Sequence, residues 1–165
     1  MKPLLVAVCI VLALASCQKS ATNKSVNTIS ATIDGMNESF GASVATQMSN
    51  AAQASYSVSI AASTGTGTNA DALSIFVSSN NKIVTGTYTN IPDSSGNFLQ
   101  IVYLKGAIGT PVTYNTDYAG TKPSSLTITA ISSTSVQGTF SGQLILTNGD
   151  SAKTVTDGKF NLKIK

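Results

Sequence analysis

The chain has 165 residues, a formal net charge of +3 and only 10% charged residues. Ser, Thr, Asn and Gly together supply 69 positions, whereas His, Arg and Trp are absent. The composition therefore excludes mechanisms that need an imidazole or a guanidinium group, and we expect no enzyme and no cofactor. The Lys residues are scattered without an obvious basic stripe, so we also expect no nucleic-acid partner.

The first sixteen residues have the pattern of a bacterial export signal. One Lys precedes an apolar run over residues 4–14, which is shorter than the roughly 20 residues of a membrane-spanning helix. The run ends in Leu14-Ala15-Ser16-Cys17, a tetrapeptide that resembles the lipobox of bacterial lipoproteins. This resemblance implies that residues 1–16 are cleaved and that Cys17 carries lipid, which makes the membrane a partner. The alternative is a soluble secreted protein with a Cys close to its cleavage site.

The segment after the signal is polar and shows no periodicity. Residues 17–27 are therefore predicted to be a flexible tether that holds the domain roughly 15 to 18 Å from the lipid. Cys9 leaves with the signal and Cys17 is modified, so no thiol is expected to form a disulfide or to bind a metal. Residues 28–165 are of a suitable length for one domain.

From Thr28 onward, apolar and polar residues alternate with a period of two. Such alternation predicts strands that bury one face, with Ser and Thr on the wet face. In the run 136–146, Gly138 and Gly142 share the face of the apolar residues, which indicates a bulge, a bend or a close backbone approach. Only residues 42–54 could form a helix. The other alternating runs are residues 29–33, 56–60, 73–77, 99–103, 126–130 and 160–164.

Turn signals separate these runs at short intervals. They predict an all-β fold, an antiparallel β-sandwich of about nine or ten strands, with a lipocalin-like β-barrel as the alternative. Asn148-Gly149 is the strongest signal and suits a two-residue hairpin turn. The other signals are Asp34-Gly35, residues 79–81, residues 92–96 and Asp157-Gly158.

Besides the lipobox, five structural motifs stand out, namely residues 31–35 (ATIDG), 86–88 (GTY), 126–129 (LTIT), 136–142 (VQGTFSG) and 155–160 (VTDGKF). With the lipobox they resemble the small uncharacterised lipoproteins of the Bacteroidetes. The resemblance implies an all-β mature domain and a place in the outer membrane, and it transfers no catalytic residue. Members often carry a Trp soon after the Asp-Gly pair, where this chain has residues 36–40 (MNESF).

One short segment combines aromatic and polar side chains in a way that suits a sugar. Its candidates are Tyr114, Asn115, Asp117 and Tyr118, in which the Tyr rings could stack on a sugar and the polar groups could bind its hydroxyls. The alternative is a loop or short strand with half-buried Tyr residues.

A possible modification site is Ser151. Asp150-Ser151-Ala152 resembles the O-glycosylation signal of exported Bacteroidetes proteins. Modification there would add bulk and solubility.

Other chemical patterns are better explained by structure. Residues 79–82 (SNNK) have the spacing of a Ser nucleophile and a Lys, yet they fall between two strands and suggest a hairpin turn. Most carboxylates lie in turn signals, where Asp caps its own backbone, rather than in pairs suited to glycoside hydrolysis. Asp71 with Asn69, or Asp93 with Ser94 and Ser95, offers too few acids for a strong Ca²⁺ site.

These patterns predict a non-enzymatic lipoprotein of the bacterial outer membrane. Its partner would be an envelope protein or a glycan. A purely structural surface role and an Asp-dependent hydrolase are the alternatives. Residues 18–20 (QKS) lack the acidic character that surface-export signals tend to have after the Cys, which slightly favours the periplasmic face.

Overall fold

The computed structural model describes residues 27–67, 69–106, 109–149 and 151–165. Cys17, the predicted signal and all but the last residue of the predicted tether lie outside these ranges. The described regular structure comprises eleven strands and a 3₁₀ turn at Ala51–Gln53. The strands are β1 (Thr28–Ile33), β2 (Met36–Phe40), β3 (Ala42–Asn50), β4 (Ser55–Ser63), β5 (Ala72–Ser79), β6 (Gly86–Thr89), β7 (Phe98–Lys105), β8 (Val112–Thr116), β9 (Ser124–Ile131), β10 (Ser135–Leu146) and β11 (Ala152–Lys163).

The strands form one antiparallel sheet in the order β2-β1-β11-β10-β8-β7-β5-β4-β3, with β9 on β10 and β6 on β9. The far edge returns to β11, because Ala45 of β3 forms a bridge with Ile164. The Lys165 N–H also donates to the Ala45 carbonyl oxygen at 3.0 Å. The sheet thus has a nearly closed, barrel-like shape, and the predicted all-β class is confirmed, with eleven strands rather than nine or ten.

The inward side chains of the strands form a single apolar core. Ile29, Leu73, Ile101 and Leu162 are among its fully buried members, as the period-two alternation predicted. Full burial of each such side chain contributes roughly 1.5 to 3 kcal/mol. In β9 the alternation ends early, because a register shift opposite Gln137 and Gly138 leaves Ala130 exposed.

Two strands, β9 and β8, pair with different parts of the same edge of β10. Its residues 136–142 pair with β9, whereas residues 144–146 pair with β8. A Cβ on Gly138 would lie 2.2 Å from the Thr127 carbonyl oxygen and 2.5 Å from the Phe160 ring. The pairing with β11 shifts register between Phe140 and Gly142. The predicted bulge and close backbone approach are therefore confirmed.

Two predicted hairpin turns are present. Asp34 and Gly35, with φ of 49° and 81°, form the two-residue turn between β1 and β2. Asn148-Gly149 lies between the paired strands β10 and β11, but this loop is longer than two residues. It is closed by the Leu146 N–H, which donates to the Ser151 carbonyl oxygen at 2.8 Å.

Two turn predictions are wrong. Asp157-Gly158 lies inside β11 rather than at a turn, because the positive φ of Asp157, 53°, is absorbed by a bulge and the strand continues. Residues 79–82 are not a hairpin turn either, because β5 pairs with β4 and β7 whereas β6 pairs with β9.

The possible helix over residues 42–54 is also absent. The segment forms β3 and then the 3₁₀ turn, since β3 pairs with β4 over its full length from Ala42 to Asn50. The sequence pattern of this segment did not distinguish a helix from a strand. The long pairing with β4 makes it a strand.

Candidate functional site

The four predicted sugar-binding residues lie on β8 and the loop that follows, but they do not share one surface. Tyr114 is only 8% exposed and belongs to the core. Its ring lies 6.3 Å from that of Tyr103, centroid to centroid, and 5.5 Å from the Lys153 Nζ. Tyr114 is therefore placed to pack inside the sheet rather than to stack on a ligand from outside.

The cation over Tyr114 is held by an ion pair. The Lys153 Nζ lies 2.5 Å from a carboxylate oxygen of Asp34. The hydrogen bond from Lys153, followed by one from the Thr154 N–H, lowers the pKa of Asp34. The same bond raises the pKa of Lys153. This contact ties the β1–β2 turn to β11, which makes it a structural contact.

Asp117 is 5% exposed and organises its own loop. Its carboxylate accepts backbone N–H bonds from Ala119, Thr121 and Lys122, each at 2.9 Å, and a bond from the Thr121 hydroxyl. The Thr121 hydroxyl, ahead of these N–H groups, lowers the pKa of Asp117. The carboxylate is thus directed into the loop and away from any ligand at the surface.

A buried Asn fastens this loop to its neighbours. The Asn90 Nδ2 donates to the carbonyl oxygens of Asp117, at 2.6 Å, and Lys122, at 3.1 Å. Its Oδ1 accepts the Ser124 N–H at 2.9 Å. Because hydrogen bonds close the loop at both ends, the exposed residue that follows Asp117 is held in a defined position.

Tyr118 is that residue, and it is 56% exposed. Its ring is stacked on Phe98 with centroids 5.7 Å apart and planes inclined by 20°. The Gln100 Nε2 donates to the Tyr118 hydroxyl at 2.5 Å. Stacked aromatic pairs contribute about 0.5 to 1.5 kcal/mol beyond their buried area, so the stacking favours this orientation of the exposed ring.

The surroundings of Tyr118 include residues that the sequence prediction missed. Phe98, Gln100 and Val102 occupy the outward face of β7, and Phe76 of β5 is the register partner of Gln100. We call Phe76, Phe98, Gln100, Val102 and Tyr118 the aromatic face. The sequence contained a signal for this face. Residues 98–104 (FLQIVYL) are mostly apolar at both alternating sets of positions, although only one face of the strand meets the core.

The other predicted positions have surface or structural settings. Asn115 faces outward, and its Nδ2 donates to the Thr147 hydroxyl at 2.7 Å. Ser151 is exposed in the β10–β11 loop, whereas Asp150 of the same motif lies outside the described residues. Glycosylation of Ser151 therefore remains a prediction.

The carboxylates proposed as weak Ca²⁺ ligands already accept hydrogen bonds. Asp71 accepts from the Tyr103 hydroxyl at 2.5 Å and from the Gly106 N–H at 2.8 Å. Asp93 accepts the N–H groups of Ser95 and Asn97, as a turn-capping Asp does. Within the described residues, no group of three or more His, Cys, Asp and Glu side chains could hold a metal ion.

A polar cleft of about 550 Å³ forms a second surface, over β1, β10 and β11. Ser30, Thr139 and Lys159 occur side by side there, because they are register partners on adjacent strands. The cleft has hydroxyls that could bind a polar ligand, but it lacks the exposed aromatic ring of the first surface. The aromatic face is therefore the stronger candidate site.

Comparison with protein-family models, curated proteins and solved structures found no match. Among the residues that the structure describes, no helix has the length and apolarity to cross a membrane. The proposal for function therefore depends on the chain's own sequence and geometry.

Proposed function

We propose that this protein is an outer-membrane lipoprotein that binds a glycan without catalysis. The observation that carries the proposal is Tyr118, which presents an open ring on a hydrogen-bonded loop beside Phe98 and Gln100. The C–H groups of a sugar ring pack well against an aromatic face, and an amide nearby can bind sugar hydroxyls. The lipobox ending at Cys17 would confine this binding surface to the envelope.

The aromatic face suits such a ligand for two physical reasons. It is apolar enough to release water on binding, and the two stacked rings cost little conformational entropy because they are already ordered. Gln100 provides direction, since its surface amide donates to Tyr118 and could also donate to a sugar hydroxyl. A role as a passive coat would not require an exposed, ordered aromatic residue in this loop.

The test is binding of full-length lipidated protein, solubilised in detergent, to soluble polysaccharides in affinity gels. A β-1,4-glucan, a β-1,3-glucan, a xylan and a mannan serve as probes. We expect retardation by at least one, and we expect Tyr118→Ala to weaken that binding about tenfold, the equivalent of about 1.4 kcal/mol.

Met36→Ala is the matched control, because Met36 is a similarly exposed apolar residue, at 58%, on β2. This variant should bind as the wild type does. Absence of retardation by every polysaccharide, or equal binding by Tyr118→Ala and the wild type, would overturn the glycan proposal. Recovery of a specific envelope protein in a native pulldown, lost in Tyr118→Ala, would reassign the same face to a protein partner.

A further inference from the structure

A basic cleft lies where β3 diverges from β11. It has a volume of about 450 Å³ and contains Lys82 and Lys165. The other residues that line it are Gln47, Ser49, Tyr56, Ser133 and Ile164, so no carboxylate side chain is among its lining residues. Both Lys residues are exposed. At neutral pH the side chains of the cleft therefore contribute positive charge only.

The end of β11 extends this charge. Lys159 and Lys163 are exposed on β11, four residues apart, and Lys165 is exposed two residues beyond the end of the strand. The period of two places Lys159 and Lys163 on one face of the strand, a grouping that was not predicted from the sequence. Asp157 lines two surface clefts together with Lys159, so a carboxylate accompanies the charge of Lys159 there.

The segment beside the cleft carries no charge. Residues 39–70 contain neither Asp, Glu nor Lys, and they include β3, β4 and the turn between them. Ala51, Ala52 and Ala54 at the tip of this hairpin are exposed. An anionic surface near this end would therefore meet Lys residues without repulsion from carboxylates on the hairpin.

The chain enters the described fold at the same end. The Asn27 N–H donates to the Asn161 carbonyl oxygen at 2.7 Å, and the Lys163 N–H donates to the Asn27 Oδ1 at 3.0 Å. A coil between Cys17 and Asn27 would span roughly 17 Å. If Cys17 carries lipid, such a coil would attach at the end of β11 and would keep that end of the domain within reach of the membrane.

We propose that the basic cleft and the end of β11 bind anionic phospholipid headgroups of the membrane that holds the anchor. Lys82, Lys163 and Lys165 supply the charge, and hydroxyls such as those of Ser49 and Ser133 can donate to phosphate oxygens. Contact at this end orients the domain relative to the bilayer. This inference rests on the proposed lipid anchor at Cys17, which determines the end of the domain that can reach the membrane. It does not depend on the proposed glycan ligand.

The experiment uses the full chain with Cys17→Ser, so that no lipid anchor contributes. Sedimentation compares vesicles of phosphatidylcholine with mixed vesicles of phosphatidylcholine and phosphatidylglycerol. The apolar run of residues 4–14 and Lys2, Lys19 and Lys24 are the same in every variant, so the comparison between variants isolates the contribution of the cleft. We expect stronger binding to the mixed vesicles, and a decrease of that excess as salt is raised.

Lys82→Gln and Lys165→Gln should each lower partitioning into the mixed vesicles about fivefold, and the double variant about 25-fold. Lys105→Gln is the matched control. Lys105 is also exposed, but its charge helps to lower the pKa of Asp34. Asp34 follows the last residue of β1, so Lys105 lies at the end of the domain opposite to Asn27. Its partitioning should stay within about twofold of the wild type.

Circular dichroism confirms that each variant is folded. Equal partitioning of the double variant and the wild type, equal binding to both vesicle types, or an equal loss in Lys105→Gln would each overturn the inference. None of these results bears on Tyr118 and polysaccharides, so the two proposals fail separately.

Discussion

Two adjacent residues show how closely structural and candidate functional roles lie in this chain. Asp117 points into its loop and accepts the N–H groups of three following residues, whereas Tyr118 points outward and is open to solvent. The sequence placed both in a possible binding segment. Only the direction of each side chain separates the residue that builds the site from the one that can contact a ligand.

The lowered pKa of Asp117 makes the stability of its loop depend on pH. A carboxyl group whose pKa is lower in the folded state stabilises the fold above its unfolded pKa, near 3.9, and this contribution is lost as pH falls through the lower folded value. We therefore predict that Asp117→Asn lowers the Tm at pH 7 and flattens the fall in Tm below about pH 4. Thermal unfolding followed by circular dichroism from pH 7 to pH 2 measures both effects.

Asp93 provides a comparison within the same protein. Its pKa is also lowered, first by the hydrogen bond from the Asn97 side chain, but its loop does not hold Tyr118. Asp93→Asn should show a similar change in acid dependence in the same measurement. An Asp117→Asn profile parallel to that of the wild type at every pH would contradict the assigned role of the carboxylate.

At the scale of elements, the glycines of β10 were correctly interpreted from their spacing alone. They stand where Leu or Val would continue the apolar face, so a bulge, a bend or a close backbone approach was expected there. The structure identifies the contacts as the Thr127 backbone and the Phe160 ring for Gly138, and Ser124 for Gly142. Both glycines lie in the part of β10 that pairs with β9.

We predict that Gly138→Ala lowers the free energy of unfolding by about 1 to 3 kcal/mol, because the new Cβ has no space against backbone and ring atoms. Chemical denaturation monitored by circular dichroism measures the change. Gly41→Ala is the control, since a Cβ at Gly41 meets no atom within 4 Å and its φ is not in the left-handed region. If Gly138→Ala were as stable as Gly41→Ala, the close contact at Gly138 would tolerate a side chain, and this prediction would be wrong.

In β3 and β11 the local sequence did not predict the structure that forms. Residues 42–54 have small and polar side chains that suit several conformations, and β3 gains its form from pairing with β4. In β11, Asp157-Gly158 has the composition of a turn but forms a bulge. The strand continues because β11 pairs with β10 and with β1 both before and after these two residues. In each case neighbouring strands override the preference of the local sequence.

At the scale of the whole molecule, the proposed function joins a surface for a ligand to an anchor in the membrane. We predict that Cys17→Ala moves the protein from the detergent phase to the aqueous phase after export, because the acyl chains are lost. Incorporation of radiolabelled fatty acid into the wild type, and its absence from the variant, completes the measurement. A Cys17→Ala variant that stayed equally membrane-bound and labelled would contradict the anchor.

Protease treatment of intact cells then shows which side of the membrane the domain occupies. Protection in intact cells and digestion after lysis would support the periplasmic side, which the absence of acidic residues after Cys17 slightly favours. Digestion of intact cells would instead place the aromatic face at the cell surface, where glycans outside the cell are accessible.

The sequence by itself determined the all-β class, the inward faces of most strands, the Asp34-Gly35 turn and the close contact at Gly138. These features depend on local rules: side chains alternate with a period of two, and only certain residues tolerate positive φ or a close backbone. The tertiary structure decided the division of β10 between β8 and β9, the return of β3 to β11, and the exposure of Tyr118 beside a buried Tyr114. Those outcomes depend on pairing between distant strands and on register shifts at bulges, and local alternation does not specify either of them.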